Sequence, residues 1–245
     1  MELNTAIITG ASSGIGAATA KELAKKNIKV MLAARRDERL KELKQEIEDM
    51  GGTAEYKATD VTSAEEMEAL AKETNDTFGS VDILVNNAGL MPLSFMNKRK
   101  LDEWNKMVDV NIKGVLHGIY AVLPYMEEKN KGHIINTSSV AAHKIMPGSA
   151  VYSGTKMAVH GISEGLRGEL ANTNIRTTII SPGMVATELT ETITDEDILN
   201  AFKNNSNDMQ PLQSQDIAEA VGYAIDQPVH VDVNEVVVRP SNQSL

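Results

Sequence analysis

Cysteine is absent from the 245 residues, so the chain can form neither a disulfide framework nor a thiolate metal site, and nothing hints at an oxidising compartment. No Pro/Ser-rich linker divides it, which favours one large α/β domain over 1–245 instead of two small ones. Short-period repeats and low-complexity tracts are also missing. No apolar run is long enough to span a membrane, and the acidic start Met1-Glu2-Leu3-Asn4 leads into an apolar strand without a secretory signal; a cytoplasmic protein is expected. Positive charge is in deficit: 24 Lys and Arg against 34 Asp and Glu give a net charge of -10, which disfavours nucleic acid or an anionic membrane as partner and leaves small molecules. The five histidines show no metal-ligand spacing, so no metal is expected.

What is present is an alternation. Apolar runs at 3–9, 28–34, 53–59, 81–86, 132–138, 174–181 and 235–238 read as strands, with helical patterns filling most of the gaps. Near-continuous apolar strands separated by helices predict a doubly wound parallel sheet of about seven strands covered on both faces. Only 184–213 is irregular, interrupted by polar residues and Pro211, and it reads as a mobile substrate flap holding a weak helix that the acidic run Asp195-Glu196-Asp197 begins.

Three stretches carry chemistry. The first, TGASSGIG at 9–16, places Gly10, Gly14 and Gly16 between the first strand and the first helix, where a tight backbone and a helix N-terminus suit a dinucleotide pyrophosphate; the other reading is a plain structural turn. The second strand then ends Ala33-Ala34-Arg35-Arg36. Arginine there suits a 2'-phosphate, favouring NADP(H) over NAD(H), while Asp37 is either a competing ribose ligand or a helix N-cap. Finally, SAVYSGTK at 149–156 spaces Tyr152 and Lys156 by one helical turn, so a positive charge lies beside a phenol and should lower its pKa, unless the two are an ordinary surface pair.

The same helix has two faces. Tyr152, Lys156, Val159, Ser163, Leu166 and Leu170 share one; Gly154, Ala158, Gly161, Gly165 and Gly168 share the other, a small-residue stripe expected to pack on another subunit.

TGASSGIG, NNAG at 86–89, Asn111, the Ser138-Ser139 pair, YSGTK at 152–156 and Pro182-Gly183 together resemble the short-chain dehydrogenase/reductase family in its short, single-domain Rossmann form, in that family's order and spacing and over nearly the whole chain. The resemblance implies that Tyr152 is the general acid/base, that Lys156 lowers its pKa and holds the nicotinamide ribose, and that Ser139, thirteen residues before the tyrosine, is the catalytic serine, with Ser138 supporting the backbone. Asn111 matches the asparagine that anchors a water in the proton relay. The cofactor contacts implied are Gly10, Ser12, Ser13, Gly14, Ile15, Gly16, Arg35, Arg36, Asp60, Val61, Asn87, Ala88, Gly89, Tyr152, Lys156, Pro182, Gly183, Val185 and Thr187, with Asn86 in the same run; Asp60 has a helix-capping alternative, and Asn86, Ala88 and Gly89 a sheet-bracing one.

The activity implied is NADP(H)-dependent hydride transfer to or from a small carbonyl or alcohol, by a homodimer or homotetramer joined through helices 101–129 and 152–171. The ending VVVRPSNQSL, with Arg239-Pro240, resembles a branch acting on small 3-hydroxy acids and related alcohols. Pocket walls are expected from Met91 to Leu93, Ala141 to Met146, and Met184, Val185 and Leu189, with His143 as a polar contact or solvent-facing. Two rival functions remain: an NADPH-binding redox sensor, which would not need the Asn111, Ser139, Tyr152, Lys156 set, and a nucleotide-sugar epimerase, whose family form adds a C-terminal substrate domain.

Overall fold

The computed structural model describes residues 3–206 and 210–243, with side chains from 202 to 206 left aside. Met1 and Glu2 of the acidic start, residues 207–209 of the flap, and Ser244 and Leu245 of the chain ending lie outside the described residues. One sheet of seven parallel strands forms the centre, in the order β3-β2-β1-β4-β5-β6-β7. Its members are β1 (Thr5–Thr9), β2 (Lys29–Ala34), β3 (Ala54–Ala58), β4 (Ile83–Asn86), β5 (Gly132–Thr137), β6 (Ile175–Pro182) and β7 (Glu235–Val238), within a residue or two of the seven apolar runs. This is the doubly wound Rossmann-type α/β fold.

The two faces follow from the period-2 pleat. Ala6 and Ile8 of β1, with Val30 and Leu32 of β2, pack on one side against α1 (Gly14–Lys25), α2 (Asp37–Asp49) and α8 (Ser214–Ile225) through Leu23, Leu40, Ile47, Ile217 and Val221. Ile7 and Met31, the residues between, point the other way onto α3 (Ala64–Phe78), α5 (Gly114–Lys129) and α6 (Ala150–Glu169) through Met67, Leu70, Val115, Val122, Val159 and Leu166. Each fully buried Leu, Ile or Met contributes roughly 1.5–3 kcal/mol relative to exposure. Among the described residues, no helix is long and apolar enough to cross a membrane.

Strand order reverses between β1 and β4, which both lie beside each other and lead outward to opposite edges. In open sheets of this type the ligand crevice lies beyond the carboxyl ends of the strands at that switch point. The glycine loop follows β1 and the NNAG run follows β4, so topology alone brings both to one place.

Two helix readings change. The region 101–129 is not one regular helix: α4 (Leu101–Val108) and α5 are joined by a π turn at Asp109–Lys113, a local widening typical of functional sites, with Asn111 buried inside it. Asp37 is the first residue of α2, not its N-cap, a position held by Arg36. The zone 184–206 is more ordered than a flap with a weak helix suggests. It holds a short 3-10 turn, Glu188–Thr192, and an eleven-residue α7 (Glu196–Ser206), where Asp195 Oδ1 accepts from the Asp197 and Ile198 amides at 3.1 and 3.3 Å.

Candidate active site

The glycine loop is shaped for close backbone approach. Gly10 and Gly14 take φ of 65° and 55°, and a Cβ on Gly16 would lie 2.4 Å from the Gly10 carbonyl oxygen, so only glycine lets α1 start where it does. Asn87 and Ala88 brace the loop: their amides donate to Thr9 Oγ1 at 3.0 and 3.1 Å, and Asn87 Nδ2 donates to the Thr9 carbonyl at 3.0 Å. Ser13 occupies the N-cap of α1 but makes no side-chain cap, leaving the first amides of the helix, at Ile15 and Gly16, without that partner. Its hydroxyl instead accepts from Arg36 Nη2 at 2.7 Å, while Ser12 Oγ accepts from Arg36 Nε at 3.0 Å.

Arg36 joins the glycine loop to the segment after β6. Its Nη1 donates to Glu188 Oε2 at 2.8 Å, and Arg39 grips the other oxygen at 2.7 Å. These two arginines hold the Glu188 carboxyl far below its usual value, at about 2. Arg35 is exposed next to Asp60. Burial pushes the Asp60 carboxyl up, but bonds from the Thr62 amide and hydroxyl, with Arg35, outweigh it and draw it down. Asp60 caps no helix; Ser63 caps α3, accepting from the Glu66 amide at 3.1 Å. Val61 is buried under Gly114, with its carbonyl 2.9 Å from His117 Nδ1.

The reactive group lies on α6, whose buried face carries Tyr152, Lys156, Val159, Ser163 and Leu166, as the 100° spacing requires. Ser138 Oγ donates to the Lys156 carbonyl at 3.2 Å, which supports the helix; Ser139 Oγ accepts from the Ala141 amide at 3.1 Å and faces the Tyr152 phenol closely enough to pull its pKa down. Lys156 Nζ donates to the Thr137 carbonyl at 2.8 Å and lies 5.8 Å from the tyrosine ring centroid. Asn111 is held on three sides, with Oδ1 accepting from the Leu90 amide and Nδ2 donating to the Leu90 carbonyl, each at 3.0 Å, and to Thr155 Oγ1 at 3.1 Å. The space over Gly89 faces both Asn111 Oδ1 and Lys156 Nζ. Asn111 from the π turn, Ser139 from the loop after β5, and Tyr152 and Lys156 from α6 are thus brought together.

Charge inside this group differs from the expectation of a lowered tyrosine. Burial pushes the Tyr152 phenol up to about 12 against the opposite pull of Ser139, and the same burial brings Lys156 down to about 8. Desolvation penalises both charged forms together.

Past β6 the chain returns to the glycine loop. Gly183 donates to the Val238 carbonyl at 2.7 Å, Val185 bridges Leu212, and the Thr187 methyl would lie 3.2 Å from a Cβ on Gly14. A cleft of about 610 Å³ opens there, lined by Gly14, Ala17, Ala18, Thr187, Glu188 and Ser214. It lies beside the helix terminus and not at Tyr152, around which Pro92, Leu93, Trp104, Met107 and Val151 close without a water-sized gap.

The apolar shell over Tyr152 comprises Met91, Leu93, Met107, Ile193 and Ile198, with Trp104, Ala141, Val151 and Leu189 partly buried against it. Ile145 and Met146 are exposed instead, and Val185, partly buried, packs against the hydrophobic core on the α1, α2 and α8 side of the sheet. Trp104 and Met107 escaped the sequence reading because the helix they share was assigned to subunit contact. Ile193 and Ile198 lay in a zone without period. Asn136 was also missed: it accepts from Asn86 Nδ2 at 2.9 Å and donates to Ser163 Oγ at 2.9 Å, tying β4, β5 and α6 together, so Asn86 braces the sheet.

Known proteins with this sequence pattern and shape agree. A family model described as short chain dehydrogenase matches residues 4–198. An uncharacterized oxidoreductase of Staphylococcus saprophyticus is 51% identical, with 98% of this chain and 96% of that protein covered, and one of Listeria monocytogenes is 49% identical with 97% and 96% covered. In shape the chain is similar to a serine dehydrogenase solved in its closed form with NADP+ (34% identity, TM-score 0.91, 98% of this chain and 96% of that one). It is also similar to an alcohol dehydrogenase of Thermococcus sibiricus bound to 5-hydroxy-NADP (29% identity, TM-score 0.88, 100% and 99%). A Burkholderia phymatum relative at 27% identity and TM-score 0.87, covering 97% of this chain and 90% of that one, was solved with NAD, so neighbours of this shape take either nicotinamide dinucleotide. This chain belongs to the short-chain dehydrogenase/reductase family and is an oxidoreductase.

Proposed function

We propose that this protein is an NADP(H)-dependent reductase of small carbonyl compounds, with Tyr152 as the general acid. The observation that carries the reading is the gathering of Tyr152, Lys156 and Asn111, with Lys156 Nζ 5.8 Å from the tyrosine ring centroid and Asn111 Oδ1 and Lys156 Nζ both facing the space over Gly89, at the carboxyl end of the sheet whose glycine loop leads into an uncapped helix N-terminus. The residues fit a dinucleotide phosphate. Gly10 to Gly16 offer bare backbone, the α1 amides offer donors to a pyrophosphate, and Arg36, framed by Ser12 and Ser13, offers a planar cation to a 2'-phosphate. Arg35, Asp60, Val61 and Asn87 to Gly89 would line the adenosine side, and Pro182, Gly183, Val185 and Thr187 the nicotinamide side. The bound nicotinamide supplies or takes the hydride.

The chain's own groups do the rest. Tyr152, neutral at working pH because burial holds its proton, donates that proton to the substrate oxygen; Ser139 steadies the same oxygen by a hydrogen bond. Lys156 holds the cofactor ribose and compensates the phenolate left behind. Asn111, locked between Leu90 and Thr155 in the π turn, would hold a water that returns the proton. The apolar shell excludes other water and suits the carbon skeleton of a small ketone, aldehyde or 3-oxo acid. Likeness to a serine dehydrogenase, whose named substrate is itself a 3-hydroxy acid, and the VVVRPSNQSL ending support including that class. With Leu189, Ile193 and Ile198 seated on the shell around Tyr152, segment 184–206 would act as the lid admitting substrate. A panel of ketones, aldehydes and 3-oxo acids, followed by loss of NADPH absorbance, tests the reading: alcohol product supports it, whereas tight NADPH binding without turnover or a sugar isomer without net consumption overturns it.

The pH profile follows from the two shifts. Lys156, lowered to about 8, carries its charge below that value and loses it above, while Tyr152, raised to about 12, stays protonated across the range. In reduction, kcat/KM for NADPH, which reports the free enzyme, therefore holds below about pH 8 and falls above it. A profile that rises through this range contradicts the assignment of Lys156 to the cofactor.

We also propose assembly through α5 and α6. A Cβ on Gly154, Gly161, Gly165 or Gly168 would meet nothing within 4 Å, and Leu116, Tyr120 and Met157 lie exposed on the same two helices. Gly161→Leu, which fits the isolated subunit, shifts the mass in solution toward the monomer in light scattering; an unchanged oligomer counts against this interface.

A further inference from the structure

Outside the reactive group, three titratable side chains from distant parts of the sequence converge on one spot. His143 lies in the loop after Ser139, His160 lies on α6 one turn beyond Lys156, and Glu235 opens β7. His143 Nε2 is 2.8 Å from Glu235 Oε1, His160 Nε2 is 3.8 Å from the same oxygen, and the ligand-capable atoms of all three lie within 4.8 Å of one another. We propose that His143, His160 and Glu235 form a binding site for a divalent transition-metal ion of the zinc class.

Donor chemistry comes first. Two imidazoles and one carboxylate make a borderline nitrogen–oxygen set that suits zinc, nickel or copper better than the hard ions magnesium and calcium. Spacing agrees. Bonds of about 2.0–2.1 Å around a tetrahedral ion put neighbouring donor atoms about 3.3 Å apart, between the two observed separations, so closure needs only small side-chain shifts.

The third argument is a missing partner. His160 Nε2 is buried and has no hydrogen-bond partner, and 3.8 Å is too long for one to Glu235. His143 and His160 meet edge to face, with ring centroids 5.1 Å apart, which turns both Nε2 atoms toward the carboxylate. Glu235 is held in place: the same Oε1 that faces the histidines also accepts from Ser181 Oγ at 2.6 Å, a supporting bond of the kind ligating carboxylates carry. All three ligands reach the surface, which gives an ion an entry path and leaves its fourth position to water.

An ion here would clamp three pieces that already matter: the Ser139 loop, the helix of Tyr152 and Lys156, and the edge strand beside Ser181. It would be a positioning centre that acts through these segments, with none of its three ligands among the proposed reacting groups. The competing account is a plain His143–Glu235 ion pair with His160 stacked on it.

The test uses the full-length protein, stripped with chelator and desalted, and titrated with zinc chloride in a calorimeter. One zinc per chain is expected. His143→Asn and His160→Asn should each weaken it at least as much as the roughly 10–100-fold seen when a supporting bond alone is removed, and Ser181→Ala should fall in that range. His230→Asn, at an exposed histidine elsewhere, should leave it unchanged. Cobalt added to the unaltered protein should give the intense visible bands of a four-coordinate nitrogen–oxygen site, a readout that needs no variant. Absence of a stoichiometric site and of those bands overturns the proposal, as does zinc binding that survives both histidine substitutions in folded protein.

Discussion

Tyr152→Phe should lower kcat for carbonyl reduction by about 10²–10⁴-fold, the usual worth of a positioned general acid, while leaving NADPH affinity within about threefold of the parent. The change removes one oxygen. That oxygen is the one Ser139 pulls on, set within the apolar shell formed by Met91, Leu93, Met107, Ile193 and Ile198. Phenylalanine fills the same volume, so the shell stays packed and stability should change little. Loss of kcat with binding intact separates proton transfer from cofactor capture. Equal losses in kcat and NADPH affinity would instead assign the tyrosine to binding alone. Stopped-flow binding and steady-state rates on one preparation make the separation.

The second large effect concerns cofactor choice. Arg36→Ala should raise the Kd for NADPH by about 10–100-fold, the worth of one or two hydrogen bonds between charged groups, and leave NADH nearly unaffected. Arg36 is already framed by Ser12, Ser13 and Glu188. Glu188 occupies the place of an anion: its carboxyl, held at about 2 by Arg36 and Arg39, stays ionised down to strongly acidic pH and must release Arg36 when a phosphate arrives. Glu188→Gln should therefore tighten NADPH where Arg36→Ala weakens it. The bridge is exposed and solvent-screened, so its effect belongs to cofactor competition more than to stability. Equal loss of NADPH and NADH in Arg36→Ala would show that the arginine supports the loop without reading the phosphate.

Much of this was legible in the chain because it is local. The seven strands announce themselves as apolar runs, and the buried face of α6 follows from a 3.6-residue period, so the spacing alone puts Tyr152, Lys156, Val159, Ser163 and Leu166 on one side. Gly10 and Gly16 carry a backbone requirement that shows in composition. What stayed hidden depends on tertiary contact. Burial, not sequence spacing, sets the direction of the Tyr152 shift, so a neighbouring lysine read in isolation gave the wrong sign. Glu188 reaches Arg36 from a segment 152 residues away in sequence, and the His143, His160 and Glu235 group has no ligand spacing because its three members come from a loop, a helix and a strand. The π turn that buries Asn111 leaves no mark in hydrophobic period at all.

The central claim is that a hydride reaches a carbonyl carbon while Tyr152 protonates the oxygen. The most direct measurement supplies NADPH deuterated at the transferring position together with a carbonyl panel and reads the alcohol by mass spectrometry. The account predicts deuterium at the carbinol carbon with the parent protein and at least about 100-fold less labelled alcohol with Tyr152→Phe. Label that never reaches a product, or reaches it equally with Tyr152→Phe, would contradict it.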